Sequence, residues 1–287
     1  MTGVVGFLTE PEPARGVAVP VAPGVRRVVA PNPGPMTYHG TNTYLLDRPG
    51  GTVVLDPGPD SAAHVRAVLD AASGRVGAIV LSHTHPDHLG ATAALRTATG
   101  APLYAWHRPD EPGLAVDVPL RDGDRAAGLV ALHTPGHAAD HVCFAAEDGT
   151  GTFFGADHVM TWSSSVVRDM AAYFASLRRV LARDDRLLLP GHGPPMPQPR
   201  AYVQRLLEHR QAREDAILAL LRRGAASGLA QETTEGALTT EALTRTLYPD
   251  VDARLMRAAE RNVLAHLDKL AAEGKAARDG EGWRGLG

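Results

Sequence analysis

Between about residue 25 and residue 189 the chain alternates short apolar runs with turn residues. Runs of four to six residues, rich in Val, Leu or Phe and bounded by Gly, Pro or Asp, predict strands. They fall near Val25–Ala30, Thr43–Asp47, Thr52–Asp56, Ala78–Ser82, Leu103–Trp106, Leu129–His133, Val142–Ala145, Phe153–Ala156 and Leu187–Leu189. Helical spacing covers Ser61–Ala72, Asp87–Thr99 and Asp169–Leu181, and the Pro- and Gly-rich residues 1–24 read as an extended lead-in. Arg48-Pro49-Gly50-Gly51 joins two of the runs as a hairpin, so the strand pairing is mixed. The expectation is two packed sheets flanked by helices, an α/β fold, and not a doubly wound parallel sheet.

The pattern changes after the segment Pro190-Gly191-His192-Gly193-Pro194-Pro195-Met196-Pro197. From Arg200 to Gly274 it is helical, with breaks around Gly224–Gly236 and at Tyr248-Pro249. Val203, Leu206, Leu207, Ile217, Leu218 and Leu221 give one helix an apolar face. Thr240–Leu247 and Asp252–Ala272 predict two more, and a basic turn from Gly274 to Gly280 leads to Trp283. Helix, helix and a Gly-bounded hairpin outline a winged helix-turn-helix. The chain therefore divides into residues 1–199 and a winged-helix-like unit, 200–287. That unit carries 14 Lys and Arg against 13 Asp and Glu, which leaves open a packing or dimerisation module or a nucleic-acid reader.

Composition narrows the class. The 287 residues are 44% hydrophobic with a formal net charge of -3, which speaks against a chain that holds nucleic acid by bulk charge. Lys269 and Lys275 are the only lysines, and the single Cys143 excludes an internal disulfide framework. Cys143 sits between Val142 and Phe144 in a predicted strand, as an inert core residue would. Glu10 and Glu12 among prolines do not read as a signal peptide, and no run approaches 18 apolar residues. These features predict a soluble, cytoplasmic protein with no membrane partner.

The chemistry lies in the 13 histidines. Ser82-His83-Thr84-His85-Pro86-Asp87-His88-Leu89-Gly90 follows directly on an apolar strand and opens a helix. Three imidazoles and a carboxylate within six residues suit zinc, or iron or manganese under other conditions. Thr134-Pro135-Gly136-His137, Gly155-Ala156-Asp157-His158 and Pro190-Gly191-His192-Gly193 each place His or Asp just past another predicted strand. One His beside Gly is commonly a turn residue; four such strand ends in order point to one shared site.

These motifs resemble the metallo-β-lactamase superfamily across about residues 20–195. Gly40-Thr41-Asn42-Thr43-Tyr44-Leu45, Thr134 to His141 and the helical tail resemble its lactamase-beta-2-like branch. That branch includes a single-stranded-RNA endoribonuclease and thioesterases of polyketide synthesis. The resemblance implies a four-layer αββα sandwich with a C-terminal winged-helix-like domain, and two zinc ions per chain. By it, His83, His85 and His137 hold the first metal, Asp87, His88 and His192 the second, and Asp157 bridges them. Asp87 and Asp157 are then the catalytic carboxylates, and a metal-bridging hydroxide is the nucleophile of a hydrolase. The family's bridging aspartate usually follows Gly, whereas Ala156 stands here. Asp56, at a strand end, is expected to orient a ligand. Asn42, His141 and Ser163 are further candidates beside the metals or the substrate, each with a plain structural role as its alternative.

The expected substrate is a small acyl ester or thioester. The alternative in the same branch is single-stranded RNA, with Arg254, Arg257, Arg261, Lys275, Arg278 and Arg284 as a basic face and Trp283 stacking a base. Those arginines alternate with Asp252, Glu260 and Asp268, so a solvated face with Trp283 packed on the helices is the competing reading. A different class, a winged-helix nucleic-acid-binding regulator, would require tight, salt-sensitive duplex binding. The amphipathic tail also leaves a homodimer open.

Overall fold

A computed structural model describes residues 5–227 and 237–286. The first sheet runs in chain order: β1 (Val19–Ala22), β2 (Val25–Val29), β3 (Asn42–Leu46), β4 (Thr52–Leu55), β5 (Val76–Val80), β6 (Leu103–Trp106) and β7 (Val118–Leu120). Its first half pairs antiparallel; β4 to β7 are parallel. The second sheet has the order β13-β12-β11-β10-β9-β8. Its strands are β8 (Arg125–Ala126), β9 (Leu129–His133), β10 (Val142–Ala146), β11 (Thr152–Ala156), β12 (Leu187–Pro190) and β13 (Met196–Pro197). Only β11 and β12 pair in parallel there.

The sheets pack face to face. Tyr44, Leu46, Leu55 and Val80 of the first meet Leu129, Phe144, Phe154 and Leu189 of the second. Helices α1 (Ala62–Ala71) and α3 (Thr92–Thr99) cover the outer face of the first sheet through Val68 and Leu95. Helix α4 (Met170–Leu181) covers the second with Tyr173, Phe174 and Leu177. Sheets sandwiched between helices are buried on both faces, which is why β3 and β4 lack the alternation of a half-exposed strand. This is the αββα arrangement expected.

Sequence and structure differ at the helix predicted over Asp87–Thr99. It is two helices, α2 (Pro86–Leu89) and α3, separated at Gly90-Ala91. Gly90 lies against the Gly58–Asp60 turn, where a Cβ would sit 2.4 Å from the Asp60 nitrogen, and Ala91 donates to the Gly58 carbonyl. The lead-in contains β1, and β7, β8 and β13 are strands of two or three residues beyond those predicted.

Helix α5 (Arg200–Ser227) continues through Gly224 without the predicted break; residues 228–236 of that segment lie outside the described residues. α6 (Thr240–Leu247), a 3-10 turn at Ala253–Leu255 and α7 (Met256–Ala272) follow. The hairpin β15 (Ala276–Asp279) and β16 (Gly282–Gly285) pairs with β14 (Leu238–Thr239) as a three-stranded sheet. Ile217, Leu221, Leu243, Val263, Leu267 and Trp283 form a separate core, giving the winged-helix outline. At Trp283, 4% exposed, burial overturns the base-stacking reading. Tyr202, Val203 and Leu206 of α5 and Ala265 of α7 join the α4 core, so the unit is seated on the second sheet's helix layer.

Candidate metal centre

The site forms along one edge of the sandwich. Val142 of the second sheet donates to the carbonyl of Ser82, just past the first sheet's β5, at 2.7 Å. His85 precedes Pro86 and so takes an extended backbone, which turns the chain sharply into α2 with Asp87 and His88 in its single turn. Gly136, at φ +136, lies against α4, where a Cβ would stand 2.6 Å from the Tyr173 Cα. Asp157 follows Ala156, whose φ of 41 is the left-handed conformation that glycine adopts freely. His192 follows Gly191, where a Cβ would come 2.4 Å from the Asp157 carboxylate. An extended pair between Thr41 and His192 ties this strand end to the first sheet.

The seven ionisable side chains converge as three overlapping triads: His83, His85 and His137; His83, His88 and Asp157; and Asp87, His88 and His192. Within each, the donor atoms lie within 4.8 Å of one another. The Nε2 atoms of His83 and His137 each approach His85 Nδ1 to 2.9 Å. Asp87 Oδ2 is 3.6 Å from His88 Nε2 and 3.3 Å from His192 Nε2. Asp157 lies between the groups, with Oδ1 at 3.4 Å from both His88 and His192 and Oδ2 at 3.6 Å from His137.

Four of the five imidazoles use Nδ1 outward and leave Nε2 inward. His137 donates to the Val166 carbonyl at 2.7 Å, His192 faces the Gly40 carbonyl at 3.3 Å, and His88 bonds Asp56 at 2.9 Å. Asp56 also accepts from the Ser82 amide and hydroxyl, both at 2.7 Å, and the same hydroxyl meets His83 Nδ1 at 3.0 Å. Each outward bond fixes a tautomer and turns a ring lone pair to the centre. His85 is reversed, with Nδ1 inward and Nε2 3.2 Å from Arg168.

The electrostatics suit a cation. Burial holds His83 well below the usual imidazole range and pushes His85 down to about 4, so both stay neutral donors. Burial opposes charge on Asp157 as well, but His192 and His88 outweigh it and hold the carboxyl well below its ordinary value. Burial likewise opposes charge on His192, yet Asp157 and Asp87 push it up to about 9; His88 rises among Asp87, Asp157 and Asp56. His88 Nε2 and Asp157 Oδ1 are buried and have no hydrogen-bond partner. Orphaned donors facing one another among imidazoles and carboxylates fit divalent metal ions.

The description of the metallo-beta-lactamase superfamily matches residues 36–192, and that of the beta-lactamase associated winged helix domain matches residues 239–283. The chain belongs to the metallo-beta-lactamase superfamily. A beta-lactamase-like protein 2 homolog of Drosophila melanogaster is 29% identical over 273 residues, covering 88% of this chain and 89% of its own. An atrochrysone carboxyl ACP thioesterase of Aspergillus fumigatus is 31% identical over 211 residues, 70% of this chain and 66% of its own. A crystal structure of a metallo-beta-lactamase family protein from Thermus thermophilus superposes with a TM-score of 0.74 at 25% identity, covering 92% of this chain and 99% of its own. This superfamily member is a metal-dependent hydrolase. No helix among the described residues is long and apolar enough to cross a membrane.

Around the cluster of this metallo-beta-lactamase fold, Asp56 bonds His88 as above. Asn42 donates to the carbonyls of Pro190 and Gly193, both at 2.9 Å, and so brackets His192 through the backbone. His141 packs beside His83, its Nδ1 on the Thr134 hydroxyl at 2.9 Å. Ser163 instead lines a cavity between the sandwich and α7. Cys143 is buried, and its thiol is pushed up to about 12 by burial, as an inert residue. Sequence reasoning gave Ser82 no role; Ser165, in a run Thr161–Ser165 that could offer hydroxyls to a substrate anion or to its own backbone, takes the backbone role, donating to the Asp157 carbonyl, while its own carbonyl receives Arg210 from α5. It also missed Asn262 of α7, whose Oδ1 accepts the Val167 amide at 2.8 Å. Hydroxyl and amide side chains leave no periodic trace, so no sequence signal marked Ser82 or Asn262.

Proposed function

We propose that the chain is a binuclear zinc-dependent hydrolase of an acyl ester or thioester, residues 1–199 forming the catalytic unit and 200–287 its appendage. His83, His85 and His137 would hold one ion and Asp87, His88 and His192 the other, with Asp157 placed between the two groups. The observation that carries this is the placement of Asp157, one oxygen toward His88 and His192 and the other toward His137. Ions held there would supply Lewis acidity and a nucleophilic water near neutral pH. The protein's own part is orientation. Asp56, Ser82, Val166 and Gly40 hold four rings by Nδ1, and the buried setting excludes bulk water around them.

An acyl substrate is favoured by the thioesterase named among the relatives and by the surface of the appendage. There Arg254 pairs with Asp252 at 2.7 Å, Lys275 with Glu273 at 2.7 Å and Arg284 with Asp279 at 3.6 Å. Trp283 is buried, so the proposed stacking ring and three of the six basic residues of the proposed RNA face are already engaged.

The test sets wild type against Asp87→Ala, with metal counted by elemental analysis and turnover measured on acyl thioesters and a single-stranded RNA. Two zinc ions and thioester turnover are expected in wild type. In the variant, metal should fall below two and turnover drop by orders of magnitude with the far-UV spectrum intact. RNA cleavage without thioester turnover would overturn the acyl reading, and full activity of the variant the two-metal reading.

A further inference from the structure

We propose that the Arg168 guanidinium, together with the outward nitrogen of His85, selects substrates that carry an anion, a carboxylate or a phosphate, close to the bond that is cleaved. The inference rests on the acyl-hydrolase reading above and adds the charge of the substrate. The cluster opens where His85 and Asp87 stand. His83, His88, His137, Asp157 and His192 are buried, whereas His85 and Asp87 are partly exposed and Pro86 between them is exposed. Arg168 stands at that opening: its Nη2 lies 3.2 Å from His85 Nε2, and its side chain is 55% exposed. One imidazole ring separates it from the cluster, since His85 Nδ1 is 2.9 Å from the Nε2 atoms of both His83 and His137.

The fold sets the base of this side chain. The Arg168 and Asp169 amides both donate to the Gly136 carbonyl, at 2.7 and 3.0 Å, beside His137. Asp110, whose Oδ2 accepts the Ala139 amide at 3.3 Å, faces Nη1 at 3.9 Å, an exposed ion pair too long for a hydrogen bond. The hydrogen bond that the guanidinium does make is to His85. That bond does not survive a loaded cluster. A neutral imidazole that gives Nδ1 to a metal carries its proton on Nε2, which then donates and cannot accept. Two donors face one another at the opening, one of them cationic, and an anionic oxygen placed between them accepts from both. Arginine suits carboxylate and phosphate alike through its fixed fork. The guanidinium also lines a surface concavity with Arg261 and Leu264 of α7, which leaves room for an anion on either side of the scissile bond.

The experiment uses the metal-loaded full chain with acetyl, butyryl and succinyl thioesters of neutral N-acetylcysteamine, and the acetyl thioester of phosphopantetheine. Wild type should prefer an anionic thioester to its neutral counterpart by at least about 10-fold in kcat/KM. Succinyl over butyryl places the anion on the acyl side; phosphopantetheine over N-acetylcysteamine places it on the thiol side. Arg168→Gln should cut that ratio roughly 10- to 100-fold, the loss expected with a hydrogen bond to a charged group. Arg168→Lys should recover only part of it, because the charge returns without the fork. A merely structural Arg168 would lower every rate together and leave the ratio. No preference for an anion, or one that Arg168→Gln leaves unchanged, overturns the proposal. A second arm needs no turnover: acetate and methyl phosphate are titrated into metal-loaded wild type and Arg168→Gln and followed by broadening of the ligand NMR lines. At least one ion should bind wild type about 10-fold more tightly. Equal affinity of the two proteins for both ions overturns the site. If no thioester is turned over the acyl-hydrolase reading fails, and the ion titration alone decides Arg168.

Discussion

Asp56 receives three hydrogen bonds from groups that end at the metal cluster: the Ser82 amide, the Ser82 hydroxyl and His88 Nδ1. An amide in its place keeps the shape but loses the charge and one acceptor. Asp56→Asn should therefore weaken metal binding by roughly 10- to 100-fold, read from competition with a chelator of known affinity. Unchanged affinity would show that His88 needs no carboxylate behind it. Away from the cluster, His64 is buried with Nε2 2.8 Å from the Thr43 hydroxyl, and burial pushes it down to about 4 from an ordinary 6.5. The unfolded chain then binds the extra proton first, so stability is complete above about pH 6.5 and drains away as pH falls toward 4. From pH 7 to 5 this site should cost about 2 kcal/mol, seen as a fall in the urea midpoint that is smaller in His64→Gln. An equal fall in both proteins would remove His64 from the account. At this scale the sequence was legible where donors cluster at strand ends, as at His83–His88, His137 and His192. It was silent at Ser82 and Asn262, whose roles depend on what the fold places opposite them.

At the scale of elements, the segment from Asp157 to Arg168 is held from two helices of the C-terminal unit, α5 and α7. Arg210 of α5 donates to the Ser165 carbonyl, and Asn262 of α7 accepts the Val167 amide. Val166 between them receives His137, so the hold extends to a cluster residue. Asn262→Leu should orphan a buried amide, lowering stability by about 1–3 kcal/mol, and should also weaken metal binding. Asn262→Asp, which keeps the acceptor, should recover most of the affinity. A loss of stability with metal affinity intact in Asn262→Leu would reduce the contact to packing. The elements themselves were mostly legible because apolar runs and caps act locally: Ser61, Asp169 and Thr239 cap α1, α4 and α6 with side-chain bonds. The break at Gly90 was not, because it follows from contact with a turn some 30 residues earlier. Nor were β7, β8 and β13, short strands that exist through their partners' hydrogen bonds and not through their own apolar pattern.

The whole molecule has one seam that matters. Tyr202, Val203, Leu206 and Ala265 from the C-terminal helices are buried in the same core as Phe174 and Leu177 of α4. A chain cut after residue 199 should expose that face, bind a hydrophobic dye, unfold at lower denaturant and hold metal more weakly than the full chain. A fragment as stable and as metal-avid as the whole would make the appendage a passenger. Two packed sheets flanked by helices and a helical tail could each be read from pattern alone; their docking could not, since no linear pattern states which apolar face meets which. That docking has a consequence for how such proteins diversify. Because the segment bonded to His137 is held by Arg210 and Asn262 of a separate module, exchange of that module between relatives would reset the cluster without touching any of its histidines. The same exchange would have to bring along matching partners for Ser165 and Val167, so only donors with a compatible Arg and Asn would yield a working hybrid.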